Sequence, residues 1–225
     1  MTQRKHISKQ LDQDLEELKQ KLLAMGNLVD RQVGTAIAAF VNDDNGQAEQ
    51  VVRGDDAVNQ LERGIDQQCI SLLARWQPEA SDLRFVAAVL KIVTDLERIG
   101  DLAVSTAEQA HELDPAHRLR AVEDLSRIAE VALDILRRGL RAFVERDEEG
   151  VQAVMASNRA VKTAMKRLTS ELRDVMRAEP SLVSNGLATI SVAKHVERIA
   201  AHATNIAEMV VYIARGEDVR HTEQP

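Results

Sequence analysis

Glu97 and Asp101 stand four residues apart in the stretch TDLERIGDLA, residues 94–103. On a helix at about 100° per residue they point within about 40° of each other, and Glu108 falls between them at about 20°. Three carboxylates then share one stripe at the seam between a core face and water. Like charges at this spacing repel by about 0.2–0.5 kcal/mol when exposed, so a cation is expected opposite Glu97 and Asp101. An Arg or Lys from another helix would serve. So would a metal ion, because an i,i+4 acid pair offers hard oxygen ligands to one divalent or trivalent ion, iron included. A solvated acidic stripe with ordinary salt bridges is the plainer reading of the same spacing. Glu108 lies too far along the helix to share the ion, since eleven residues rise about 16 Å. Asp55 and Asp56, in the preceding helical stretch, are further candidate ligands.

The tripeptide Glu-Arg-Ile recurs in KHVERIAAHA, residues 194–203, one hundred positions downstream (197 − 97 = 100). Glu197 and Glu208 keep the places of Glu97 and Glu108, but Asp101 becomes Ala201. At the offset of 103 that fits the earlier helices, Asp55 and Asp56 become Asn158 and Arg159. The second copy is therefore expected to hold a metal more weakly, with Glu197 its main candidate and Glu208 able to act only through water or another helix. His195 and His202 do not replace the lost acid. They sit about 160° and 140° round the helix from Glu197, where they serve another site or face another helix. Arg98 is expected to pair with Asp95 at i,i+3.

Other reactive patterns are weak. A di-iron oxidase on a four-helix bundle needs a Glu-x-x-His from each of two helices. EQAH at Glu108–His111 supplies one, and the matching place in the second copy reads EMVV. There is no Gly-rich phosphate loop, no Gly-x-Ser-x-Gly and no His-Glu-x-x-His. GDD at 54–56 lies inside a helical pattern, so it is no nucleotide loop. No nucleophile stands with an evident base, and an enzyme is not expected. The single cysteine, Cys69, excludes an intrachain disulfide and fits a reducing compartment. Its helical context, QQCISLL, reads as a buried, inert thiol.

The elements that carry these residues are helices. Breakers at 43–46, 77–82, 113–117, 146–150 and 179–181 separate six periodic stretches. Leu11, Leu15, Leu18, Leu22, Met25 and Val29 step by three or four, as do Val122, Leu125, Ile128 or Ala129, Ala132, Leu136 and Leu140. Nothing alternates with period two over a strand's length. Aromatics are 2% and charged residues 29%, so small and aliphatic residues must fill the core, as in helical proteins. AFV closes a stretch at 39–41 and again at 142–144, and Val51 and Val58 correspond to Val154 and Val161. Matched order then argues a duplication. The fold class is all-α: six long helices forming two repeated three-helix bundles, residues 1–112 and 113–225. A net charge of −7 argues against nucleic acid or an anionic membrane as partner. The N-terminus lacks the apolar core of a signal peptide, and no run approaches the roughly 20 apolar residues of a spanning helix. A soluble, cytoplasmic protein with no membrane insertion is expected.

With these residues in view, the chain resembles the PhoU family of phosphate-uptake regulators over nearly its whole length. The similarity is carried by LLAMGNLVDRQVGTAIAAF (22–40), DLERIGDLA (95–103) and VERIAAHATNIAEMVVYIARGEDVRH (196–221). The family signature is a Glu or Asp followed four residues later by Asp, once per unit. Glu97 to Asp101 satisfies it, while Glu197 to Ala201 satisfies half. The resemblance implies a regulatory adaptor that links a phosphate ABC transporter to a sensor histidine kinase and represses the phosphate-starvation response when phosphate is plentiful. It also implies iron or another metal on the acidic motifs, and a homodimer is expected. A carboxylate-bridged metal protein, either di-iron enzyme or metal store, is the competing class.

Overall fold

The computed structural model describes residues 2–216, with side chains from Lys9 onward. Residues 217–221, the end of the family-like stretch, lie outside the described residues. Six long helices make up the molecule: α1 (Thr2–Asn42), α2 (Asn45–Trp76), α3 (Ala80–Glu108), α4 (Ala121–Glu145), α5 (Glu148–Ala178) and α6 (Val183–Arg215). Short 3-10 turns at Gln109–Glu112, Pro115–His117 and Pro180–Leu182 complete the connections. There is no strand among the described residues.

The turns explain why the helices stop where the breakers fall. Between α1 and α2, Asp43 takes a left-handed φ of 57°. Asp44 then caps α2, its carboxylate accepting from the Gln47 backbone N–H at 3.0 Å and from Gln47 Nε2 at 2.7 Å. Between α4 and α5 the device is repeated: Arg146 has the same φ of 57°, and Asp147 accepts from Glu149 N at 3.1 Å. In both turns the capping Asp donates its own N–H back to an alanine carbonyl, Ala39 in the first and Ala142 in the second. The duplication is written in backbone geometry as well as in sequence.

Connections of two to four residues within each repeat send successive helices back antiparallel, and a longer connection, residues 109–120, joins α3 to α4. α1, α2 and α3 pack on one another as one three-helix bundle, and α4, α5 and α6 form the second. Most of each stripe read from the periodicity is buried, Leu18, Leu22, Met25 and Val29 on α1 and Leu125, Ala132 and Leu136 on α4, while Leu11, Leu15 and Ile128 are partly buried; Val93, Leu96 and Ala103 fill the core from α3. The bundles meet through α3 against α6 and α1 against α4, leaving α2 and α5 on the outside. Gly26 of α1 lets Leu140 of α4 approach so closely that a Cβ there would clash with Leu140 Cδ1. Phe85 of α3 stacks on Phe143 of α4 with ring centroids 5.6 Å apart. One apolar core runs through both repeats.

The α3–α6 seam carries polar cross-links that bear on the histidines. His202 Nδ1 and Asp95 Oδ1 are 2.8 Å apart, and Asn205 Nδ2 donates to the same oxygen at 3.3 Å. His195 Nδ1 meets Thr106 Oγ1 at 3.2 Å. The Thr106 hydroxyl gives its proton to the Leu102 carbonyl at 2.7 Å, so the imidazole must donate here. Burial, helped by Arg198, holds His195 below the usual histidine range. Asp95 on α3 thus reaches positions 202 and 205 of α6, and the equivalent of Asp95 on α6, His195, reaches position 106 of α3. At the offset of 100 the equivalents of 202 and 205 are 102 and 105, so the second contact falls one residue beyond strict equivalence, and polar links run in both directions across the seam.

Candidate metal centre

The acidic stripe lies on the opposite side of α3 from that seam, turned toward α2. Glu97 is mostly buried, its side chain 19% exposed, while Asp101 is 48% exposed. The cation opposite them comes from their own helix: Arg98 lies 3.5 Å from Glu97 and 3.4 Å from Asp101. The expected Asp95–Arg98 pair does not form, because α6 covers Asp95 and supplies His202 and Asn205 instead.

Asp55 of α2 joins the group, half-buried and held by Asn59 Nδ2 at 2.7 Å. Burial pushes its carboxyl above the usual range; the Asn59 bond opposes this, and the charges of Asp101 and Asp56 add to it. Glu97 is raised as well, first by burial and then by Asp101, with Arg98 opposing and Glu62 of α2 adding. Glu97 and Asp101 therefore share one guanidinium, and each of the raised carboxyls feels a further acid across the α2–α3 face. Asp56 is exposed on the outer side of α2. Glu108 is exposed at the end of α3, in a shallow depression with Glu49, Arg53 and His111. Among the described residues no three Asp, Glu, His or Cys side chains already stand close enough together to hold an ion.

Two features of the first repeat were not anticipated. Glu62 is one, and Gln32 of α1 is the other: it is buried, and neither amide atom finds a hydrogen-bond partner among the described residues. The signal for Gln32 was in the sequence, since it follows Val29 by three residues and interrupts an apolar stripe. Hard carboxylate oxygens are the donor type that divalent and trivalent cations take, but as they are placed these side chains do not converge on one point.

The second repeat lacks the set. Glu197 is half-buried, but Ala201 offers no oxygen, and Arg159 at the place of Asp56 is exposed and cationic. Asn158, at the place of Asp55, is buried with its Oδ1 unpaired. Glu208 is buried on α6, unlike exposed Glu108. Cys69 is fully buried and its thiol is pushed up to about 12, by burial and then by Asp66, so it is inert at neutral pH.

A model of the PhoU domain matches twice, over residues 22–110 and 125–210. The chain belongs to the PhoU family. Among curated relatives, a protein of Pseudomonas putida named as a homologue of the phosphate-specific transport system accessory protein PhoU is 40% identical, the match spanning 96% of this chain and 85% of that one. The protein named phosphate-specific transport system accessory protein PhoU in Escherichia coli strain K12 is 31% identical, over 96% of this chain and 90% of its own length. The crystal structure of PhoU from Pseudomonas aeruginosa superposes with a TM-score of 0.87 at 38% identity, covering 92% of this chain and 99% of that one. PhoU from Streptococcus pneumoniae, described as a phosphate transport system regulatory protein, gives 0.86 at 29% identity, covering 92% and 98%. The six-helix plan and the paired three-helix repeats are thus those of PhoU proteins.

Proposed function

We propose that this PhoU-family chain is the regulatory accessory protein of a phosphate-specific transport system. It acts in the cytoplasm as a homodimeric adaptor between a phosphate ABC transporter and a sensor histidine kinase, and it represses the phosphate-starvation response when phosphate is plentiful. The observation that carries this reading is the near-full-length likeness to relatives named as accessory proteins of phosphate transport. The architecture is compatible with it: long outer helices offer surfaces to partners, and no helix among the described residues is long and apolar enough to cross a membrane.

Glu97 and Asp101, with Asp55 and more distantly Asp56, would hold iron or another divalent or trivalent ion. Such an ion would relieve their mutual repulsion and tie α2 to α3; Glu197 and Glu208 are the weaker candidates in the second repeat, and Glu108 would have to act alone. The di-iron enzyme reading gains no support from the Glu108–His111 motif, which sits on the exposed end of α3 beside Glu49 and Arg53.

Deleting the gene in a strain without a paralogue should leave phosphate-starvation genes expressed in phosphate-rich medium, and the protein should co-purify from membranes with transporter and kinase subunits. Unchanged expression would contradict the regulatory reading. Oxygen-dependent turnover by iron-loaded protein would favour the enzyme instead.

A further inference from the structure

The two outer helices carry opposite charge at equivalent places. Residues 47–67 of α2 hold five acids and two bases, while the equivalent residues 150–170 of α5 hold four bases and no acid. At the offset of 103, Asp56, Asn59 and Gly64 become Arg159, Lys162 and Arg167, and Glu62 and Asp66 become Met165 and Thr169. In a chain of net charge −7, a basic outer helix is a local exception that packing of the core does not require.

Arg159, Lys162, Lys166 and Arg173 fall within about 60° of one another on α5, and all four are exposed. None of them is in an ion pair among the described residues; the nearby acids Glu171 and Asp174 pair with Arg167 and Arg177 instead. On α2, Asp55, Glu62 and Asp66 are half-buried within about 40° of one another. Val52 and Ile70 lie beside that stripe, 41% and 63% exposed, and offer apolar area that a partner helix would cover.

The spacing of the two stripes matches. From Asp55 to Glu62 to Asp66 the acids step by seven and then four residues, and backward along α5 Arg173, Lys166 and Lys162 make the same steps. Helices laid antiparallel therefore set Asp55 against Arg173, Glu62 against Lys166 and Asp66 against Lys162. Forward along α5 the steps recur only at Lys166, Arg173 and Arg177, and Arg177 is already paired with Asp174. Within one molecule α2 and α5 sit in different bundles, so the contact calls for a second copy.

We propose that two copies of this chain associate with α2 of each laid antiparallel along α5 of the other, a contact that rests on the homodimer reading above and gives it a surface. Exchange of the contact in both directions closes the pair and leaves neither charged helix unpartnered. Exposed ion pairs hold weakly, but they steer the encounter and fix its register. Val52, Ile70 and the aliphatic stems of the lysines supply the apolar burial.

Sedimentation of chelator-stripped, full-length protein at low and high salt tests it. Lys162→Glu with Lys166→Glu should weaken self-association about tenfold or more, and so should Glu62→Lys with Asp66→Lys, since each double variant sets like charges on both helices. An equimolar mixture of the two should recover the dimer, because one then brings two acidic helices and the other two basic ones. Circular dichroism melts check that the variants fold. In the unsubstituted protein, zero-length carbodiimide coupling of mixed isotope-labelled copies should join Glu62 or Asp66 of one copy to Lys166 or Lys162 of the other. A dimer unaffected by either reversal and lacking those cross-links would overturn the surface and leave the homodimer reading standing. Reversals that weaken the dimer without recovery on mixing would also overturn it. Loss of binding to phosphatidylglycerol vesicles in Lys162→Glu with Lys166→Glu, with self-association unchanged, would assign α5 to a membrane instead. A monomer at every concentration and salt would remove the homodimer reading and this surface together.

Discussion

Asp95 and Asp101 lie on one helix, yet one is cross-linked into the molecule and the other faces outward toward Arg98. Asp95→Ala leaves His202 Nδ1 and Asn205 Nδ2 in the α3–α6 seam without their acceptor. The expected loss is about 1–3 kcal/mol, a fall in melting temperature of about 3–10 °C by calorimetry; a fall under a degree would refute the cross-link. Glu97 behaves in the opposite sense. Its carboxyl is held above the ordinary value, chiefly by burial and then by Asp101, so the folded state binds that proton more tightly than the unfolded one. The penalty is absent below the unfolded value and complete above the folded one. Glu97→Gln should therefore raise the metal-free melting temperature at neutral pH by about 1–2 °C, with the gain gone in acid; a gain that persists in acid would have another cause. The acid stripe and its decay at Ala201 were legible from spacing alone. The choice between Asp95 and Asp101 as partner of Arg98 was not, since both stand three residues away and only the covering helix α6 decides.

Helices and turns were the most legible level, because period, breakers and capping residues act over a few residues. Asp44 and Asp147 cap α2 and α5 in turns of the same left-handed geometry, and both turns fall within the breaker stretches. What period cannot say is which helix a buried face meets. Gly139 of α4 illustrates it: a Cβ there would sit 2.9 Å from the Ala203 backbone oxygen of α6, an approach that nothing in RRGLRAF announces. Gly139→Ala should destabilise by about 1–3 kcal/mol through overpacking. Gly64→Ala in the exposed interior of α2, where the new methyl meets nothing within 4 Å, should stabilise by about 0.5–1 kcal/mol. Denaturant melts of the two variants check the contrast, and shifts of the same sign would contradict the packing described.

At the scale of the molecule, two repeats share one core through α3–α6 and α1–α4. Residues 1–112 expressed alone would bare the faces around Leu102, Thr106 and Gly26 that the second repeat covers. The segments 1–112 and 113–225 are expected to melt without cooperativity when separate and to regain a cooperative transition by circular dichroism when mixed; full cooperativity in each alone would contradict a shared core. The shared fold also sets the central claim in relief, since a common backbone carries a complete acid set in one half and a depleted one in the other. Titration of metal-free protein with iron, manganese, zinc and magnesium, comparing Asp101→Ala with Glu197→Ala, tests that claim most directly. Asp101→Ala should remove the tighter binding, and Glu197→Ala should leave it nearly unchanged. Equal losses from the two substitutions would contradict it.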